Sequence, residues 1–145
     1  ALCKIKLGKQ KKLFLGNLNA KRDWGHAKDY VEAMWKMLQH NEPDDWVLAT
    51  GETHRVKDFL QTAFTLLNLD WKDYILTSDK YLRPNEVEYL LGDYSKAKEH
   101  LDWNPETSFK ELVEKMINAD IELAKRDKVL LNEGLIEPTW EYPIF

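Results

Sequence analysis

Apolar residues along this chain switch between helical and strand-like spacing several times, and that alternation predicts a mixed α/β architecture. Residues 1–8 read as the end of a helix, with Gly8 standing where a left-handed C-cap sits. Leu13-Phe14-Leu15 is a short strand candidate closed by Gly16-Asn17. From Ala27 the apolar positions Ala27, Tyr30, Val31, Met34, Trp35 and Leu38 keep helical spacing over three turns, until Pro43 and Asp44-Asp45 end it.

Trp46-Val47-Leu48-Ala49 is a continuous apolar run that suits a buried strand. A second amphipathic helix follows, with Val56, Phe59, Leu60, Ala63, Phe64 and Leu67 on one face and Thr53 as its expected N-cap. Tyr74-Ile75-Leu76 is a third strand candidate, and Val87 to Leu91 a short extended piece after the Arg83-Pro84 loop. Asp93 is placed to cap a short helix running to Leu101. After Pro105, Ser108 and Glu111 have capping-box spacing ahead of a long helix whose expected buried face is Phe109, Leu112, Val113, Met116, Ile117 and Ala124. Beyond Asp127 the period dissolves into a tail with Pro138, Trp140, Tyr142, Pro143, Ile144 and Phe145. The strands are too few and too short for a complete doubly wound sheet. With no initiator Met and a start that reads as mid-helix, the chain is expected to be a fragment whose strands want a partner sheet.

Composition narrows the class. The 145 residues suffice for one compact domain with a core. A net charge of −4 argues against a nucleic-acid binder, which needs a basic face. Lys4, Lys6, Lys9, Lys11 and Lys12 form a local exception, read as a solvated helix end and turn. The single cysteine, Cys3, excludes an intrachain disulfide and fits a reducing, cytoplasmic setting. No apolar run approaches the ~18–20 residues that span a bilayer, so no membrane partner is expected.

Several chemistries lack their residues. A dinucleotide loop needs closely spaced glycines, and Gly8, Gly16, Gly25, Gly51, Gly92 and Gly134 are far apart. The four histidines share no metal-ligand spacing with one another or with Cys3. Tyr94 and Lys98 have the Tyr-x-x-x-Lys spacing of a phenolate base. No upstream glycine loop would deliver a cofactor to them, so they read as structural. What remains is charge at turns: Arg22-Asp23 before a helix, and Arg83-Pro84-Asn85-Glu86 in a loop. A guanidinium fork matches phosphate oxygens, and a carboxylate accepts from vicinal ribose hydroxyls. Two loop arginines and a carboxylate suit a nucleotide diphosphate, although loop arginines are more often simple surface ion pairs.

The run from Leu15 through Arg22-Asp23-Trp24-Gly25-His26 to Trp35 resembles the GDP-mannose 4,6-dehydratases. The resemblance continues at Ala49-Thr50-Gly51-Glu52, Arg83-Pro84-Asn85-Glu86-Val87, Leu91-Gly92-Asp93, Ser95-Lys96-Ala97-Lys98 and Leu101-Asp102-Trp103-Asn104-Pro105. It covers residues 1–126 as a nucleotide-sugar-binding carboxyl-terminal region and leaves 127–145 as a divergent tail. The implied fold is the small substrate-binding domain of an extended short-chain dehydrogenase, with most of its Rossmann sheet missing. The implied reaction oxidises the mannose C4 hydroxyl with NADP, removes water across C5 and C6, and returns hydride to C6.

The family's catalytic Tyr, Lys, Thr and Glu match no residue of this chain, so neither turnover nor NADP binding is expected of it alone. By resemblance, Arg22 and Arg83 contact the diphosphate, Glu86 the ribose, and Asn17 the guanosine of GDP-mannose or GDP. The family also implies dimers or tetramers. Asn19 stands where Asp is usual, Leu82 replaces an aromatic, and the loop from Tyr74 to Arg83 looks short. A non-catalytic nucleotide-binding or interaction module derived from the same family is the alternative, with the aromatic tail either folded back or docked on a partner.

Overall fold

A computed structural model describes residues 1–137; the tail residues Pro138, Trp140, Tyr142, Pro143, Ile144 and Phe145 lie outside the described residues. Among these residues five α-helices and four short strands follow one another: α1 (Leu2–Lys6), β1 (Leu13–Leu15), β2 (Lys21–Arg22), α2 (Ala27–Gln39), β3 (His54–Arg55), α3 (Val56–Leu66), β4 (Ile75–Thr77), α4 (Ser95–Leu101) and α5 (Phe109–Asn132).

The local signals explain most of these boundaries. After α1, Gly8 has φ +72°, its N–H reaches the Ile5 carbonyl at 3.0 Å, and the Lys9 N–H reaches the Lys4 carbonyl at 2.8 Å. That pair of bonds is a Schellman end, and it satisfies carbonyls the short helix would otherwise leave open. At α5 the Ser108 Oγ accepts from the Glu111 N–H at 3.3 Å, while a Glu111 carboxylate oxygen accepts from the Ser108 N–H at 2.9 Å. The expected capping box is therefore present. The α3 cap differs from expectation: Arg55, not Thr53, precedes the helix, and the Arg55 N–H donates to Asp58 at 2.9 Å. Residues 54 and 55 pair with β2, and that ladder delays the helix start by two residues.

Two small sheets form. β1 runs parallel to β4, with Leu13 opposite Ile75 and Leu15 opposite Thr77. β2 pairs antiparallel with β3, and on its other side Lys21 bridges to Tyr89. The piece from Val87 to Leu91 contributes only that bridge, because just the Glu88 carbonyl and Leu90 N–H reach Lys21. Trp46–Ala49, expected as a buried strand, joins neither sheet.

Three apolar clusters hold the elements together. Cys3, Ala63, Leu67, Val113, Ile117 and Ala124 join α1, α3 and α5. Ile5, Leu60, Phe64 and Ile75 seat α3 on β1 and β4. Ala33, Ala97, Leu101 and Trp103 join α2 to α4, with Trp46 and Leu48 packed alongside. The α3 face is as expected, with Leu60, Ala63, Phe64 and Leu67 buried. On α5, Met116 instead faces outward at 45% exposure. The helix continues unbroken through residue 127 to Asn132, so the expected boundary between 126 and 127 falls inside an element.

Burial and the nearby Asp120 carboxylate raise the pKa of the Cys3 thiol, so it behaves as a small apolar side chain. The amino-terminal lysines bond at element ends: Lys6 Nζ reaches the Leu67 carbonyl after α3 at 2.8 Å, and Lys12 Nζ the Asp73 carbonyl at 2.6 Å.

Candidate functional site

Arg22 ends β2, where the Lys21 bridge brings the 86–90 segment alongside. Its Nη1 donates to the carbonyls of Lys21 and Val87, both at 2.7 Å, and its Nη2 donates to Glu86 Oε1 in an ion pair. Both side chains are about one-fifth exposed. A guanidinium carries five N–H donors. Three are used here, so Nε–H and one Nη2–H remain for another acceptor. Glu86 Oε2 likewise has no hydrogen-bond partner among the described residues. The structure therefore joins Arg22 and Glu86 to each other and leaves each a free edge.

Arg83 stands apart from this pair. It is exposed, three residues before Glu86, and forms no hydrogen bond or ion pair among the described residues. Pro84 and Asn85 turn the chain between them. Asn17 occupies a second place. Its Oδ1 accepts from the Asn19 N–H at 2.9 Å, and it lines a hollow of about 340 Å³ with Lys57, Thr77, Ser78, Asp79 and Leu82. Gly16 is needed there by close approach: a Cβ would lie 2.3 Å from the Tyr81 carbonyl oxygen. Arg22 instead borders a hollow of about 290 Å³ shared with Asp23, Tyr30, Val47, Leu90 and Gly92. The four expected site residues thus divide into the joined pair Arg22–Glu86, the open charge of Arg83, and Asn17 in the neighbouring hollow.

Sequence reasoning missed the part played by Asp23. Its Oδ1 accepts from the Thr50 N–H at 2.9 Å and the Thr50 hydroxyl at 2.6 Å. Its Oδ2 accepts from the N–H groups of Gly51 at 3.2 Å and Gly92 at 3.3 Å. One carboxylate thereby ties the Arg22 strand to the Thr50-Gly51 turn and to the chain that follows the Glu86 loop. The adjacent Arg-Asp pair was the available signal, but donors 27 and 69 residues away are invisible to local spacing.

Tyr30, on the same hollow, has its phenol pKa raised by burial and then by Asp23 and Asp29, which keeps it a neutral phenol. Lys57, in the Asn17 hollow, was also missed, because it sat on the polar face of a helix pattern.

Other candidates resolve into structure. Tyr94 packs edge-on against Trp103 at 5.8 Å within the α2–α4 cluster, while Lys98 is exposed. His26 precedes α2 and accepts from the Lys28 N–H at 3.2 Å; His54 stacks on Phe109 at 3.8 Å. Among the described residues no three His, Cys, Asp or Glu side chains cluster to hold a metal, and no helix is long and apolar enough to cross a membrane.

Residues 1–116 match the family model described as GDP-mannose 4,6 dehydratase. The chain is 56% identical over 137 residues to GDP-mannose 4,6 dehydratase 2 of Arabidopsis thaliana, covering 94% of this chain and 37% of that protein. It is 46% identical over 142 residues to GDP-mannose 4,6 dehydratase of Homo sapiens, covering 86% of this chain and 38% of that protein. The chain therefore spans less than two-fifths of the length of these relatives.

Among solved structures, RMD from Pseudomonas aeruginosa complexed with NADPH superposes with a TM-score of 0.72 at 20% identity, covering 83% of this chain and 39% of that one. UDP-glucose 4-epimerase of Thermotoga maritima with UDP-glucose gives 0.67 at 20% identity, covering 88% and 38%. At that identity the likeness concerns fold alone. It is the fold of extended short-chain dehydrogenases, with only short strands present here.

Proposed function

Because the chain belongs to the GDP-mannose 4,6-dehydratase family, we propose that it supplies the nucleotide-sugar-binding part of such an enzyme. GDP-mannose is the substrate, and GDP-4-keto-6-deoxymannose and water are the products. The Arg22–Glu86 pair carries this reading. It is held by two main-chain carbonyls, yet keeps two guanidinium donors and one carboxylate oxygen open. The free donors suit a diphosphate oxygen, the free Oε2 suits ribose hydroxyls, and Arg83 adds a second charge from the same loop. Asn17 and Lys57 in the neighbouring hollow suit the guanosine end.

The residues here do not fit NADP. The widely spaced glycines form no pyrophosphate loop, so no hydride step is assigned to this chain. Its contribution is binding and orientation, which accelerate a reaction by presenting the sugar in reactive geometry.

Calorimetric titration of GDP into the 145-residue chain tests the reading. A charge-assisted hydrogen bond contributes about 1.5–3 kcal/mol, so Arg83→Ala is expected to weaken GDP by about tenfold or more. An unchanged constant in Arg83→Ala removes Arg83 from the site. Unchanged constants in both Arg83→Ala and Arg22→Ala refute the proposal.

A further inference from the structure

Two opposite charges line the Asn17 hollow without meeting. Lys57 enters from the first turn of α3 and Asp79 from the chain that follows β4. Neither side chain forms a hydrogen bond or ion pair among the described residues, with the other or with any third group. Opposite charges that share a small hollow ordinarily neutralise each other. Left apart, they offer a donor and an acceptor to whatever enters. Asn17 adds to the donors. Its Oδ1 is committed to the Asn19 N–H at 2.9 Å, which leaves its amide NH₂ free.

The main chain beneath these side chains is fastened on both sides. The Leu18 carbonyl accepts from the Lys57 N–H at 3.0 Å, tying the 16–19 turn to α3. The Leu15 carbonyl accepts from the Ser78 N–H at 2.9 Å, and Gly16 lies too close to the Tyr81 carbonyl for a Cβ to fit. Leu82 supplies an apolar wall. A cleft whose walls are fixed beforehand loses less to ordering when a ligand binds.

We propose that Asp79 and Lys57 read the base and make this hollow selective for guanine. The inference rests on the nucleotide-binding reading above and adds the groups that discriminate between nucleotides. A carboxylate only accepts, and guanine alone among the common bases offers it two adjacent donor atoms, N1–H and the 2-amino group. An ammonium only donates, and guanine O6 and N7 accept from it. Adenine reverses the pattern: its 6-amino group would face the ammonium, and its unprotonated N1 the carboxylate. Uracil has one N–H between two carbonyls, so a carbonyl oxygen would oppose the carboxylate. A wrong base therefore leaves polar groups facing their own kind, which costs more than a missing bond.

Calorimetry of the 145-residue chain with four nucleoside diphosphates tests the proposal. Inosine diphosphate differs from GDP only in lacking the 2-amino group. It is expected to bind about tenfold or more weakly, the worth of one hydrogen bond to a charged acceptor. Adenosine diphosphate should be weaker still. Asp79 is exposed and unbonded, so Asp79→Asn should leave the far-UV dichroism unchanged. The new side chain keeps one oxygen for N1–H but turns an NH₂ group toward position 2. It should weaken GDP and favour xanthosine diphosphate, which carries an oxygen there, shifting the ratio of the two affinities by about tenfold or more. Lys57→Met should narrow the gap between GDP and adenosine diphosphate. Arg22→Ala, by contrast, should weaken every nucleotide alike, because all share the diphosphate.

Equal affinities for GDP and inosine diphosphate in the wild type would overturn base reading while leaving nucleotide binding intact. So would an unchanged ratio of GDP to xanthosine diphosphate in folded Asp79→Asn. A chain that binds none of the four would sink the nucleotide-binding reading and this inference with it.

Discussion

Removing the Asp23 carboxylate isolates the contact that holds the site's loops together. Thr50 N–H and Thr50 hydroxyl approach Oδ1 at 2.9 and 2.6 Å, while Gly51 N–H and Gly92 N–H approach Oδ2 at 3.2 and 3.3 Å. Hydrogen bonds to a charged acceptor contribute about 1.5–3 kcal/mol when well formed and desolvated. Here the side chain is half-buried, so released donors partly regain water, and the two Oδ2 bonds are long. Asp23→Ala is therefore expected to cost about 2–3 kcal/mol, chiefly from the Thr50 pair.

Asp23→Asn keeps one acceptor oxygen for Thr50 but turns an NH₂ group toward the Gly51 and Gly92 N–H groups. We expect about 1–2 kcal/mol for it. Urea unfolding with an unchanged slope reads both numbers. The double variant with Thr50→Ala should show a coupling of about 1 kcal/mol, since the two side chains share a bond. Losses below about 0.5 kcal/mol for Asp23→Ala, or strict additivity with Thr50→Ala, would refute the reasoning.

Trp103, 1% exposed, donates from Nε1 to the Asp29 carbonyl at 2.8 Å. Trp103→Ala should cost about 3–5 kcal/mol in urea titrations, and Trp103→Phe distinctly less because most of the ring volume stays. Gly16→Ala should cost about 1–3 kcal/mol, because the added Cβ meets the Tyr81 main chain, which cannot swing aside as a side chain would.

Bonds from Ser108 lower the Glu111 pKa, the hydroxyl first and the main-chain N–H second. Such a group stabilises the fold above its ordinary titration range and loses that contribution as pH falls through its lowered value. The stability gap between wild type and Glu111→Gln should therefore shrink from neutral toward strongly acid pH, as read by thermal unfolding. Tyr30 has the opposite sign. Its raised pKa, caused by burial and then Asp23 and Asp29, makes stability fall as pH climbs above the ordinary tyrosine value. Tyr30→Phe should reduce that alkaline loss in the same assay.

Local patterns along the chain marked the longer helices and most of their ends. Apolar spacing placed α2, α3 and α5, Ser108 with Glu111 started α5, and Gly8 closed α1. These signals are legible because each acts within about one or two helical turns of chain. The charged residues at turns were legible too, and Arg22 and Glu86 meet in an ion pair.

Which faces are buried and what joins the site depend on how the elements come together in space. Periodicity marks an apolar stripe but not the layer it meets, so α3 turned its stripe inward while α2 left Val31, Trp35 and Leu38 outside. Trp46–Ala49 read as a strand, yet a ladder needs a neighbour, and among the described residues it joins neither sheet. Asp23 gathers donors from Thr50, Gly51 and Gly92 because folding brings those distant turns to one carboxylate. Hydrogen bonding depends on distance in space rather than along the chain.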